Sequence, residues 1–198
     1  MDEAEEDVLG ADVVVVEEAR FLLSQDDHAT GSIGEALEHG HSMPRQTAAV
    51  RALASAGAGF LLAVLWFDLM FDVQVRGHVG PELPGEVRSS IARYYARVTT
   101  AARPMNRLVL LAMLTTIGAL LAVLFGDDLP NWRAAIALVL TLAAVNLAGA
   151  HTVPAAVRLG GRRDDAATQS RLARSILRDH LFCIAAIAGT LLTLLLPA

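Results

Sequence analysis

Residues 62–72 read Leu-Ala-Val-Leu-Trp-Phe-Asp-Leu-Met-Phe-Asp. They close an apolar run that begins near Val50. Roughly 20 apolar residues cross a bilayer as a helix, so the run is long enough to span. Its last turns carry Asp68 and Asp72, four residues apart and so on one helical face. Asp68 follows Arg51 by 17 residues, about 25 Å along a helix. That places it near the far interface rather than at mid-bilayer. Ser42 and Pro44 suit the start of this helix, and Gly57 and Gly59 make one side small enough for close approach.

Three more apolar runs follow, so the expected spans are about 50–71, 108–125, 134–153 and 180–196. The hydrophobic content of 54% and mean hydropathy of +0.46 exceed those of an ordinary soluble domain. The fold class expected is all-α, an integral membrane four-helix antiparallel bundle. Residues 108–125 and 134–153 are joined by the short Gly126-Asp127-Asp128-Leu129-Pro130-Asn131-Trp132-Arg133 turn, which makes them antiparallel neighbours. In the first long connection, residues 86–103 carry Arg93 and Arg97 on one face and Ile91, Tyr94, Tyr95 and Val98 on another. They read as an amphipathic helix on the membrane surface, with the tyrosines as interfacial anchors.

Charge divides the chain. Residues 1–42 hold twelve acidic residues and one arginine and read as an acidic flexible tail before the membrane domain of residues 43–198. The His39-Gly40-His41 pair there reads as solvated, and Met43 stands as an alternative start. All 16 basic residues are arginine, which fits GC-rich bacterial codon usage rather than nucleic-acid binding. Twelve arginines fall in the first and third connections, against Arg20, Arg45, Arg51 and Arg133 on the other side. The positive-inside rule then puts both long connections in the cytoplasm and both termini outside, in the cell inner (cytoplasmic) membrane. Cys183 lies in an apolar run and reads as a small buried hydrophobe.

Most ionisable groups of the membrane domain converge on that cytoplasmic mouth. Asp68, His151 and His180 are the candidate catalytic groups, as acids and bases. Trp66, Asp72, Asn106, Arg107, Asn146, Arg178 and Asp179 are the candidate ligand-binding groups. Polar groups at membrane depth face the bundle interior or water. The bland alternative is that the aspartates pair with Arg107 or Arg178 and hold the helices together. Asp68, His151 and His180 would also make a chemically sensible metal set, but they are not local in sequence, so metal and cofactor stay open. No P-loop, no Gly-x-Gly-x-x-Gly, no Gly-x-Ser-x-Gly elbow and no Cys-x-x-Cys occurs.

His151-Thr152-Val153-Pro154, a charged connection, and residues 171–180 leading into an apolar helix resemble the anthrone-oxygenase-like group of small four-span membrane proteins. In that group a Pro-Asn segment ends span three and a Trp-x-x-x-His segment opens span four. Pro154 and His180 match; Ala155 and Ala156 replace the asparagine, and the tryptophan is absent. The resemblance covers the last third and implies a cofactor-independent oxygenase or an uncharacterised relative of one.

Three function classes follow. A membrane enzyme or binder of a lipophilic small molecule needs an apolar cavity beside these groups. An ion- or proton-handling transporter needs a path to the other mouth. A structural or assembly subunit needs its carboxylates paired and no cavity. Beyond the lipid bilayer, a homo-oligomer remains open and a nucleic-acid partner is not expected.

Overall fold

A computed structural model describes residues 43–101, 103–126 and 129–196. The acidic tail, the His39 and His41 pair, the Ser42 cap and Asp127 and Asp128 lie outside the described residues. Six α-helices are described: α1 (Met43–Asp72), α2 (Gly85–Ala96), α3 (Arg103–Leu124), α4 (Asn131–Leu147), α5 (Val153–Gly161) and α6 (Ala166–Leu195), with no strand among the described residues. Four helical stretches, Ala48–Val75, Pro104–Leu124, Asn131–Gly161 and Ala166–Leu195, are long and apolar enough to cross a membrane. This is the architecture of a multi-pass membrane protein.

The helices extend well beyond the expected spans. α4 continues through a wide π turn, Ala148–Thr152, directly into α5. The connection between α5 and α6 shrinks to residues 162–165, where Arg162 takes a left-handed backbone (φ 52°). Asp165 caps α6 by accepting the Thr168 amide at 2.6 Å. That backbone amide holds the Asp165 carboxyl below the usual carboxylate range. The arginine-rich third connection is therefore mostly helix. Thirty residues make about 45 Å of helix, longer than the roughly 30 Å of hydrocarbon in a bilayer.

Two proline positions shape the backbone. Pro104 and Pro154 each lack an N–H and crowd the carbonyl four residues earlier. Those carbonyls, of Thr100 and Ala150, fall inside the π turns Arg97–Ala101 and Ala148–Thr152. Widening the turn by one residue accommodates the ring without breaking the helix. Thr99 and Thr100 bond back to the Tyr95 and Ala96 carbonyls in the first of these turns.

Packing follows two regimes. The hairpin end has a core of Leu83, Ile91, Tyr95, Leu159, Ile176 and Leu177, where burying each large apolar side chain contributes about 1.5–3 kcal/mol. The amphipathic helix α2 buries Ile91, Ala92 and Tyr95 against α5 and α6. Those three side chains are thus taken up by protein, with Tyr94 and Val98 partly buried beside them. The spans instead meet through Ala54, Ala58, Ala119, Ala134, Ala137, Ala144 and Ala186. Lipid tails remove the hydrophobic drive between helices, so small residues that allow close contact do this work. Gly57 is one of them: a Cβ there would collide with the Thr116 hydroxyl.

The α4 and α6 register is set by hydrogen bonds. Arg133 donates to the Thr193 carbonyl (2.6 Å) and the Leu196 carbonyl (2.5 Å), a cation on the orphan carbonyls of a helix C-terminus. Thr141 and Thr190 share a hydrogen bond at 3.0 Å, and the Cys183 thiol, which is buried, faces the Ala144 carbonyl. The register falls along α6 as it rises along α4.

Gly160 tests how α2 is docked. A Cβ at Gly160 would stand 2.7 Å from the Ala96 amide nitrogen and 2.9 Å from its Cα, and backbone cannot yield as a side chain does. Gly160→Ala is expected to destabilise the purified protein by about 1–3 kcal/mol. Gly161→Ala meets nothing within 4 Å and serves as the control. Equal melting temperatures for the two variants in detergent would contradict this packing.

Candidate functional site

The four-residue spacing of Asp68 and Asp72 places both carboxylates toward α2 and α6. Asp72 is completely buried. It accepts the Tyr95 hydroxyl at 2.6 Å on Oδ1 and lies 2.5 Å from His180 Nδ1 on Oδ2. This carboxylate joins α1, α2 and α6. It also fixes the imidazole, since an N–H donated from Nδ1 leaves Nε2 as the group turned outward. Asp68 accepts the Tyr94 hydroxyl on Oδ1 at 2.5 Å. Its Oδ2 lies 3.9 Å from His180 Nε2, beyond hydrogen-bond reach. The Tyr94 ring stacks on Phe71 with centroids 3.9 Å apart.

Asp68, Tyr94, Tyr95 and His180 line one end of a cavity of about 680 Å³. The rest of its wall is apolar, with Leu61, Leu65, Val109, Met113 and Ile187 among its residues. Both π turns border it, through Val98 and Thr99 on one side and Ala148 and Thr152 on the other. The volume lies within the range of about 300–1,000 Å³ that pockets in proteins commonly span. The phenols of Tyr94 and Tyr95 are raised above their ordinary value of 10.0, first by burial and then by the carboxylates they face.

The structure gathers some expected residues and separates others. Asp68 and His180 meet at the cavity. Asp72 lies behind His180 as its partner and is not part of the cavity wall. His151 belongs to a different cluster: its Nδ1 lies 2.6 Å from Asp179 Oδ2, which also accepts the Thr152 hydroxyl at 3.0 Å. Asn106 lines the cavity and donates to the Val98 carbonyl. Asn146 turns back to the Leu142 carbonyl on its own helix, and Trp66 is exposed. Arg107 does not line the cavity, and Arg178 lies in a separate surface groove with Arg158, Arg171 and Arg174. The arginines considered as partners for Asp68 and Asp72 are replaced in that role by two tyrosines and a histidine. Among the described residues no group of three or more His, Cys, Asp or Glu could hold a metal ion, so the Asp68, His151 and His180 set is not assembled.

Tyr94 and Tyr95 line the cavity, where the sequence reads them first as membrane anchors and, as the alternative, as aromatics stacking on a substrate. As adjacent aromatics on an amphipathic helix they carry the signature of membrane anchors. Only the docking of α2 against α1 and α6 turns them to the aspartates.

No protein-family model matches the chain, no curated protein is significantly similar to it, and no solved structure is significantly similar to it. The resemblance in the last third therefore rests on its residues alone.

Two outcomes are expected. Asp72→Ala leaves the Tyr95 hydroxyl and His180 Nδ1 buried without their acceptor. It should cost about 3 kcal/mol or more, and more than Asp68→Ala; thermal melts of both variants in detergent decide it, and a smaller loss for Asp72→Ala would contradict the assignment. The second concerns pH. The two tyrosines are the only ones in the chain, so tyrosinate absorbance reports on them alone. With phenols raised in the fold and ordinary in the unfolded chain, their stabilisation is complete below about pH 10 and is lost as pH rises further. Tyrosinate should appear only together with loss of helical dichroism; an independent rise near pH 10 would show that the phenols are open to solvent.

Proposed function

We propose that the chain is a four-span antiparallel bundle of the cytoplasmic membrane that binds a lipophilic small molecule and handles a proton on it. The arginine-rich hairpin faces the cytoplasm in this reading and both termini face outward, as the arginine distribution favours. The observation that carries the ligand reading is the apolar cavity of about 680 Å³ with Asp68 and His180 at one end.

The division of labour follows from the geometry. Asp72 holds Nδ1 of His180 and so orients the ring. His180 Nε2 and Asp68 Oδ2 face the cavity across 3.9 Å, a gap that a ligand hydroxyl or amine fits by bonding to both. The apolar walls exclude water and strengthen those bonds. His180, which carries the resemblance, lines this cavity, so a cofactor-independent oxygenase acting on a lipophilic substrate is one form of the reading. The structural-subunit reading has one observation in its favour: Asp72 is fully paired and ties three helices together. It leaves the cavity without a use.

The test is extraction of small molecules from protein purified in a neutral detergent, followed by mass spectrometry. Wild type and Asp164→Asn, which is remote from the cavity, should carry the same lipophilic compound. Val109→Trp, which fills the cavity, should lose it. A compound retained equally by Val109→Trp, or none in wild type, would sink the proposal.

A further inference from the structure

The polar end of the cavity restricts what can occupy it. Tyr94 and Tyr95 spend their hydroxyl protons on Asp68 and Asp72. The Thr99 hydroxyl is spent on the Tyr95 carbonyl, and that of Thr152 on the Leu147 carbonyl or Asp179. Asn106 donates an amide proton to the Val98 carbonyl. No arginine is part of the wall. Among the ionisable groups of the wall, Asp68 Oδ2 and Nε2 of His180, a residue only 6% exposed, are not within hydrogen-bond reach of each other. Beside them Asn106 keeps one amide proton and its carbonyl oxygen, both uncharged.

The formal charges do not balance. Asp68 and Asp72 bring two negative charges, and His180 brings at most one positive charge. One negative charge is left over beside walls of Leu, Val, Met and Ile, where an unpaired charge is costly. Asp72 is the carboxylate in direct contact with the imidazole, so when Asp68 is ionised the uncompensated charge is its own, and a cation in the cavity is what favours that ionised state. The rings of Tyr94 and Tyr95 border the same spot, and an aromatic face attracts a cation further.

We infer that the ligand is a lipophilic monocation that carries an N–H, a protonated amine; quaternary onium ions share its charge and serve as probes of that charge alone. Its charge lies against Asp68 Oδ2 and its apolar body fills the space among Leu61, Leu65, Val109, Met113 and Ile187. This inference rests on the cavity being a ligand site and adds the sign of the charge. An anionic amphiphile would meet Asp68 with no arginine to offset it.

Tetraphenylphosphonium and tetraphenylborate have nearly the same size and shape and opposite charge. Binding of each to detergent-purified wild-type protein is measured by equilibrium dialysis, with empty micelles subtracted. The phosphonium should bind saturably and at least about tenfold more tightly than the borate. Asp68→Asn should weaken the phosphonium about tenfold or more and leave the borate unchanged or tighter. Equal affinities, a preference for the borate, or an unchanged phosphonium affinity in Asp68→Asn would overturn the charge inference and leave the cavity reading standing. Saturable binding of neither ion would overturn both. If Asp68→Asn fails to fold, the comparison of the two ions on wild type decides alone.

Discussion

The carboxylate of Asp72 is the constraint on which the arginine-rich end depends. It is wholly removed from solvent and accepts hydrogen bonds from two other helices, through Tyr95 and His180. A buried carboxylate is tolerated only when its oxygens are satisfied. Satisfaction here requires α1, α2 and α6 to be in register at once. The loop between Asp72 and α2 is held for the same end. Ser170 accepts the Leu83 amide, and Arg174 donates to the Gly80 and Pro81 carbonyls. These bonds tie the loop to α6, and the close approach of Gly160 on α5 to Ala96 completes the seat of α2.

The two packing regimes explain why the site lies where it does. Within the spans, helices touch through alanine, glycine and buried threonines, and such contacts leave little empty space. Beyond them, large side chains build a water-driven core. The cavity lies where one regime gives way to the other. There the π turns that precede Pro104 and Pro154 border it, and it reaches into the spans as far as Leu61, Met113 and Ile187. His151 and Asp179 lie close to this level: Asp179 precedes the end of α6 at Leu195 by 16 residues, about 24 Å. Polar groups are affordable at that depth and costly deeper in the membrane.

Much of this was legible in the sequence, and the limits have physical causes. Apolar runs of 17–22 residues announce spans because hydrocarbon thickness fixes their length. Asp68 and His180 stood out because ionisable groups beside an apolar run need a reason. The true helix ends did not stand out, since the arginine-rich segments beyond the third and fourth runs are also good helix formers and carry no strong break until residues 160–165. The pairing of the aspartates was illegible for a different reason. Arginine is the obvious partner for a carboxylate by charge, but a guanidinium at this depth would itself need desolvation. A tyrosine hydroxyl satisfies the same oxygen at lower desolvation cost.

Asp68 and Asp72 are the same residue type one turn apart, and their surroundings give them different work. Asp72 has both oxygens engaged and no exposure, so it is a positioning group whose loss is felt by the fold. Asp68 has one oxygen held by Tyr94 and the other turned to the cavity. The tyrosine keeps that side chain in place and leaves its second oxygen free of that bond. His180 repeats the arrangement, with Nδ1 held and Nε2 presented. A held atom beside a presented one is what preorganisation requires. A purely structural pair would gain more by closing the 3.9 Å gap between Nε2 and Oδ2 into a direct bond. In the proposed ligand reading, the open gap beside the apolar wall is the place of a third group.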